Sequence, residues 1–286
     1  MKFRVLTPSQ REHVIAASHS PDPEVQFEAL ISLMEDAAER GEFAHGLQLA
    51  SAAVAVGRAH GNPEWTKRAM FFSAGLAWGG GRRELAKEAY AELIDYCTEA
   101  GFGRDVVQAM TWLAEMHGDE GERELTLRWL SAAEARCADP DELEWVAWQV
   151  NKLGQRLLWM GTGDFALEIL EIAARISLEA NDVLGTSIAS FHVSRARRDC
   201  GVLEPAIVVT GSEFRSLSVL APTLRLACLG IRLGHLLVAA DRNDEALQIH
   251  GLLAVRLSDL SSEHLESALD GVRRAALGYP EAISDR

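Results

Sequence analysis

Between residues 150 and 176 the apolar positions fall in two stripes at helical spacing. Leu153, Leu157 and Met160 precede Gly161, and Ala166, Leu167, Leu170 and Ala173 follow it. That pattern predicts two amphipathic helices joined by a short turn. The turn mark recurs, because Gly41, Gly81, Gly121, Gly161, Gly201 and Asp241 stand 40 residues apart. The register also holds away from the turn. Five residues after each mark come Gly46, Ala86, Thr126, Ala166, Ala206 and Ala246, all small. Seven before it come Met34, Ala74, Ala114, Gly154, Ser194 and Gly234, small in all but the first. Small residues at matched offsets let the two helices of a hairpin approach closely, and neighbouring hairpins then bury each other's apolar faces.

Six such hairpins cover roughly residues 22–260. Pro63, Pro140 and Pro222 fall between them, where a proline opens the next helix without costing it a hydrogen bond. Thr7-Pro8 is a helix cap followed by a first-turn proline, so residues 1–21 are expected to form an N-terminal capping helix. Ser261-Ser262-Glu263-His264 starts another helix running to about Leu277, with Gly278 and Pro280 ending it, which makes residues 261–286 a C-terminal capping helix and tail.

In LGQRLLWMGTGDFALEILEIAARI, the residues Leu153, Gly154, Leu157, Gly161, Ala166, Leu170 and Ala173 fall at the spacing of the tetratricopeptide repeat (TPR) motif, which the chain therefore resembles. GHLLVAADRNDEAL, with Gly234, Leu237, Asp241 and Ala246, is a second good copy. The period of 40 exceeds the 34 of that repeat. Longer helices of this kind resemble the sensor regions of maltose-activator-type bacterial regulators. Some copies are degenerate, since His117, Arg197 and Glu213 stand where the good copies are apolar. HEAT-like repeats also fit the period, but the small residues at fixed offsets favour the first resemblance. The expected fold is thus all-α, a TPR-like right-handed α-α superhelix of about six hairpins with terminal capping helices.

Charge narrows the partners. The net charge is −14, with −10 in residues 1–143 and −4 in residues 144–286. Such a surface repels nucleic acid and anionic lipid, so neither is an expected partner. The N-terminus has no apolar run of signal-peptide length, and the apolar stretch from Leu226 to Ala240 is interrupted by Arg232 and His235. A soluble cytoplasmic protein is expected. Cys97, Cys137, Cys200 and Cys228 form no CxxC pair and read as reduced thiols. Cys97 and Cys137, 40 apart, occupy equivalent sites, where buried core residues are a better expectation than a redox pair.

No catalytic constellation is present: there is no HExxH, phosphate-binding glycine loop, GxSxG elbow or dinucleotide fingerprint. Gly79-Gly80-Gly81 marks a turn, and Asp119, Glu120, Glu122 and Glu124 lack the alternation of a calcium loop. LTPSQREHVI superficially resembles the start of a LuxR-type DNA-binding domain, but Pro21-Asp22-Pro23 breaks the chain at once. No enzyme activity, cofactor or metal is expected.

What the family resemblance implies is a concave groove lined by the first helix of each hairpin. Glu28, Ile31, Ser32 and Glu35 make its start acidic. Phe71, Phe72, Trp112, Trp148 and Phe191 supply aromatic contacts. Asn151, Lys152, Gln155, His192, Arg195, Arg198, Arg232 and His235 make the last half basic and rich in hydrogen-bonding groups. Arginine forks match carboxylates, so the expected partner is a protein or peptide, acidic where it meets this half. An ion pair between Arg195 and Asp199 is the plain alternative for that arginine. Two readings stay open: a binding scaffold, or a regulatory module sensing a peptide or small effector. Self-association would use the terminal helices.

Overall fold

The structure is a computed structural model that describes residues 5–219, 223–260 and 262–279. Among these residues there is no strand, and the architecture is all-α and TPR-like. A leading helix, α1 (Pro8–Ala17), is followed by α2 (Pro23–Glu39) and α3 (Phe43–Ala59), then α4 (Pro63–Gly79) and α5 (Arg83–Ala100). Next come α6 (Gly103–Asp119) and α7 (Arg123–Glu134), then α8 (Pro140–Trp159) and α9 (Gly163–Ala180). The series continues with α10 (Val183–Asp199) and α11 (Leu203–Ser218), then α12 (Leu224–Ala239) and α13 (Asn243–Arg256), and closes with α14 (Glu263–Ala276). Pro222 and Pro280, expected as helix punctuation, and Ser261 lie outside the described residues.

The 40-residue marks are the hairpin turns. Gly41, Gly81, Gly121, Gly161 and Gly201 have φ between 71° and 80°, and Asp241 has φ 59°. A left-handed residue just past a helix lets the next N–H reach back five residues, as Thr162 does to the Leu157 carbonyl at 3.1 Å and Arg242 to that of Leu237 at 2.9 Å. The turns between hairpins use the same device at Gly61, Gly101 and Asn181, with φ of 60°, 81° and 57°. Helix starts differ in kind. The first helices α2, α4, α8, α10 and α12 are capped by the side chains of Asp22, Asn62, Asp139, Asp182 and Thr223, each accepting a first-turn N–H. The second helices α3, α5, α9, α11 and α13 have no such bond and are entered directly from the tight turn.

The chain forms two compact units. Unit 1 comprises residues 1–117 and 124–136, and unit 2 comprises 118–123 and 137–286. In unit 1, Phe27, Leu30, Ile31 and Met34 of α2 meet Ala50 and Ala53 of α3 and Ala69 and Leu76 of α4 in one core. Phe27 also stacks on Trp65 at 4.9 Å between ring centroids. In unit 2 the closest hairpin is α8 with α9, where a Cβ on Gly154 would lie 2.6 Å from the Leu170 side chain, so only glycine fits. All residues at the two small-residue offsets are buried in their unit.

The hairpin of α10 and α11 departs from the pattern. These helices scarcely touch, and α11 packs instead on α12. The degenerate positions explain it. Arg197 of α10 turns to Glu171 of α9 at 2.8 Å, and Glu213 of α11 is exposed, so neither supplies the apolar contact that closes the other hairpins. The last helix, α14, packs on α10 and α12 as well as on α13. Val272 lies against Gly234, and a Cβ on Gly271 would be 3.8 Å from the Ser187 hydroxyl. The terminal helix therefore lies along the first helices of the last two hairpins.

All four cysteines are free thiols, and Cys97 and Cys228 are buried. Burial pushes each of these two thiols up to about 11, which keeps them protonated and unreactive near neutrality. No described helix is long and apolar enough to cross a membrane.

Candidate binding face on the first helices

Phe71, Phe72 and Trp112 belong to unit 1, and the remaining predicted site residues belong to unit 2. In unit 1 all three aromatics are half-buried. Phe71 sets its ring edge-on to Tyr90, 5.9 Å away, and Phe72 packs on the core. The nearby cation on α4 is neutralised, since Arg68 binds Glu28 at 2.7 Å.

In unit 2 the cations are arranged differently. Lys152 of α8 is exposed and sits over the Trp148 ring at 5.3 Å. Four residues on in α10, Arg195 is exposed and sits over Phe191 at 5.5 Å, rather than pairing with Asp199. Asp199 approaches Arg198 instead, at a loose 3.8 Å. Neither Lys152, Arg195 nor Arg232 has a carboxylate within ion-pair distance among the described residues. Each aromatic thus props a cation outwards without cancelling its charge. Most other described cations of this unit are paired, among them Arg123 with Glu168, Arg156 with Asp119, Arg175 with Glu179 and Arg242 with Glu204 and Glu245.

Below these cations lies a buried polar layer. Asn151 is 2% exposed and both atoms of its amide lack a partner, as do the Ser190 hydroxyl, Nε of Arg232 and Nδ1 of His235. These polar groups gather on three packed helices, within an otherwise apolar interior. Arg232 is half-buried, and desolvation followed by the charge of Arg197 holds its guanidinium below its ordinary pKa. Gln155 is half-buried on the same face of α8.

Of the two histidines, His235 is buried and His192 half-buried. His235 is 3% exposed and its Nε2 lies 3.0 Å from the Ser187 hydroxyl, while Phe191 presents an edge to both His192 and His235 at 5.2 and 6.0 Å. Burial lowers both imidazoles to about 4, helped by Arg195 for His192 and by His192 for His235, so both are neutral near pH 7. Expected to line an open groove, Asn151 and His235 instead lie within the helix packing. His235 is held against α10 by Ser187 and Phe191, and the α14 backbone passes beside Ser187. That cover was legible only in part: the start of α14, 39 residues after that of α12, announces a further first helix, but not its reach back to α10. The Ser187 and His235 contact, spanning 48 residues, had no sequence signal. Among the described residues no group of three His, Cys, Asp or Glu side chains is placed to hold a metal ion.

No family model matches the chain, and no curated protein matches it. Similar solved structures include BtubC (BKLC) from P. vanneervenii, 16% identical, covering 97% of this chain and 92% of that one, with a TM-score of 0.48. A Rap protein complexed with competence and sporulation factor is 16% identical, covering 92% of this chain and 78% of that one, with a TM-score of 0.42. A kinesin light chain with nearly identical TPR-like repeats from Podosopora anserina is 12% identical, covering 85% and 100%, with a TM-score of 0.35.

Proposed function

We propose that the protein is a non-catalytic binding module whose unit 2 holds an acidic peptide segment on the first-helix face of α8, α10 and α12. The observation that carries this reading is the pairing pattern. In a chain of net charge −14, Lys152, Arg195 and Arg232 stand on the first helices of one unit with no ion pair among the described residues, above a buried polar layer. Arg195 and Lys152 would meet the carboxylates, Trp148 and Phe191 would supply apolar area, and Gln155, Arg198 and His192 would border them. Asn151, within the helix packing, supports the face from below, and the half-buried Arg232 lends it charge. Phe71, Phe72 and Trp112 have no part in this site.

Isothermal titration with an acetylated peptide of alternating Asp, Glu and Leu, against its Lys and Arg counterpart, tests the reading. Binding of the acidic peptide alone, abolished in a folded Lys152→Glu/Arg195→Glu variant, is the expected result. Equal binding of both peptides, or of neither, would remove it.

A second reading, a sensing module, is favoured by one observation. Because α14 rests on α10 and α12, a ligand that reaches Ser187 or His235 has to move it. Faster hydrogen exchange in α14 on addition of the acidic peptide supports sensing, and unchanged exchange supports a passive scaffold.

A further inference from the structure

A different site stands in unit 1, at the start of the chain. Where α1 meets α2, the cations are already committed. Asp36, fully buried, takes Arg11 at 3.2 Å and Arg40 at 3.0 Å, and also accepts the Leu6 N–H at 2.8 Å. Arg11 reaches Glu42 as well, at 2.9 Å, and Arg68 is held by Glu28. Beside this network a groove of about 490 Å³ opens between the two helices. Glu35 lines it, half-buried, with no ion pair among the described residues. Burial raises its carboxyl above the ordinary range, and Arg68, already bound elsewhere, only partly opposes this.

The other polar groups of the lining have their hydrogens spoken for. Ser32 gives its hydroxyl proton to the Glu28 carbonyl at 2.9 Å, which leaves only lone pairs for a ligand. Nδ1 of His13 lies 2.7 Å from the Ser9 carbonyl, which can only accept, so Nδ1 carries a hydrogen and Nε2 is the ring nitrogen that can accept from a ligand. Gln10 and Ser9 are the exceptions: the Gln10 oxygen accepts from the Thr7 backbone and hydroxyl, both at 3.0 Å, and its amide hydrogens remain, while the Ser9 hydroxyl has no hydrogen bond among the described residues. The groove therefore combines one charged acceptor and two neutral acceptors, on three residues. Leu6 and Val14 add apolar wall.

We propose that this groove binds the ammonium end of an aliphatic amine, with Glu35 supplying the charge and Ser32 and His13 the neutral acceptors. An ammonium has three donors and no acceptor, matching three separate acceptors, whereas a guanidinium fork is built for one planar carboxylate. The methylene stem lies on Leu6 and Val14, as long cationic side chains do on apolar surface. Both a free diamine and a protein lysine carry this chemistry.

Two-dimensional NMR of the full chain titrated with 1,5-diaminopentane, and separately with Nα-acetyl-lysine methylamide, tests it. The expected result is a saturable shift of the His13, Ser32 and Glu35 amides, with n-pentanol producing none. A response to the diamine alone assigns a free amine, and a response to the lysine amide assigns a side chain. Glu35→Gln, which breaks no ion pair of the fold, should weaken the binding at least about tenfold, as loss of a charged hydrogen bond does. Ser32→Ala should weaken it by a smaller factor, about threefold. No saturable shift with either probe, or wild-type affinity in a folded Glu35→Gln variant, overturns the proposal.

Discussion

Arg68 in unit 1 and Arg195 in unit 2 both belong to first helices, and both lie over a phenylalanine, Phe27 at 5.9 Å and Phe191 at 5.5 Å. From composition they are the same feature. They differ in what surrounds them, because Arg68 is closed by Glu28 at 2.7 Å and Arg195 by no carboxylate among the described residues. The deeper layers differ too. Below Phe27 lies an apolar core, whereas Phe191 touches two neutral imidazoles above a buried polar layer. The comparison teaches that net charge by region is a poor guide to where an anion binds. Unit 1 contains cations but has cancelled those on this face, whereas unit 2 leaves its own available.

Acid should separate the two faces most strongly. The folded-state pKa of His192 and of His235 is depressed, so their contribution to stability is present above the unfolded value of 6.5 and is lost as pH falls towards about 4. The loss is on the order of 3 kcal/mol per histidine if they act independently. Hydrogen exchange at falling pH should show α10 and α12 opening before α2 and α4, and His235→Gln should flatten the dependence. Simultaneous opening of both units would blur the contrast.

Next in size is the cover over the unit 2 face. Val272→Asp places a charge where Val272 is 2% exposed against Gly234, and should cost about 3 kcal/mol or release α14. Denaturant melts together with exchange at Ser187 would report which. A smaller effect distinguishes the paired from the unpaired arginine. Arg195→Glu should weaken acidic-peptide binding at least about tenfold, whereas Arg68→Glu should leave that affinity unchanged and cost no more than about 1 kcal/mol of stability. Smallest is Asp241→Gly, which relieves a left-handed aspartate and should stabilise unit 2 by under about 1 kcal/mol in a thermal melt. The same comparison run in reverse, Gly161→Ala, should destabilise by about 1 kcal/mol.

Architecture was readable because repetition writes local chemistry many times. Gly161 and its counterparts mark left-handed turns that few other residues tolerate, and Ala166 and Gly154 mark close helix contacts; each is a property of a residue and its near neighbours. The half-period turns at Gly61, Gly101 and Asn181 carried the same signal and were legible in the same way, though the 40-residue count passes over them. The site was less legible. Helical spacing placed Lys152, Arg195 and Phe191 on one face. It could not place His235 beneath α14, or show that Arg197 leaves its own hairpin for Glu171, because both depend on contacts far apart in the chain.

The regular spacing of left-handed residues has one more consequence. Successive residues of a helix point about 100° apart, so a single residue inserted between two turn marks would swing every later side chain of that helix by more than a quarter of a circle. An insertion just before Lys152 would put its charge in the buried place of Leu153, and Leu153 in the place of Gly154, where a Cβ would already lie 2.6 Å from Leu170. Length between marks is thus as constrained as composition, and extra residues are tolerable only in the turns themselves. A library of one-residue insertions scored for soluble expression should trace a comb, with its teeth about 20 residues apart along the hairpins.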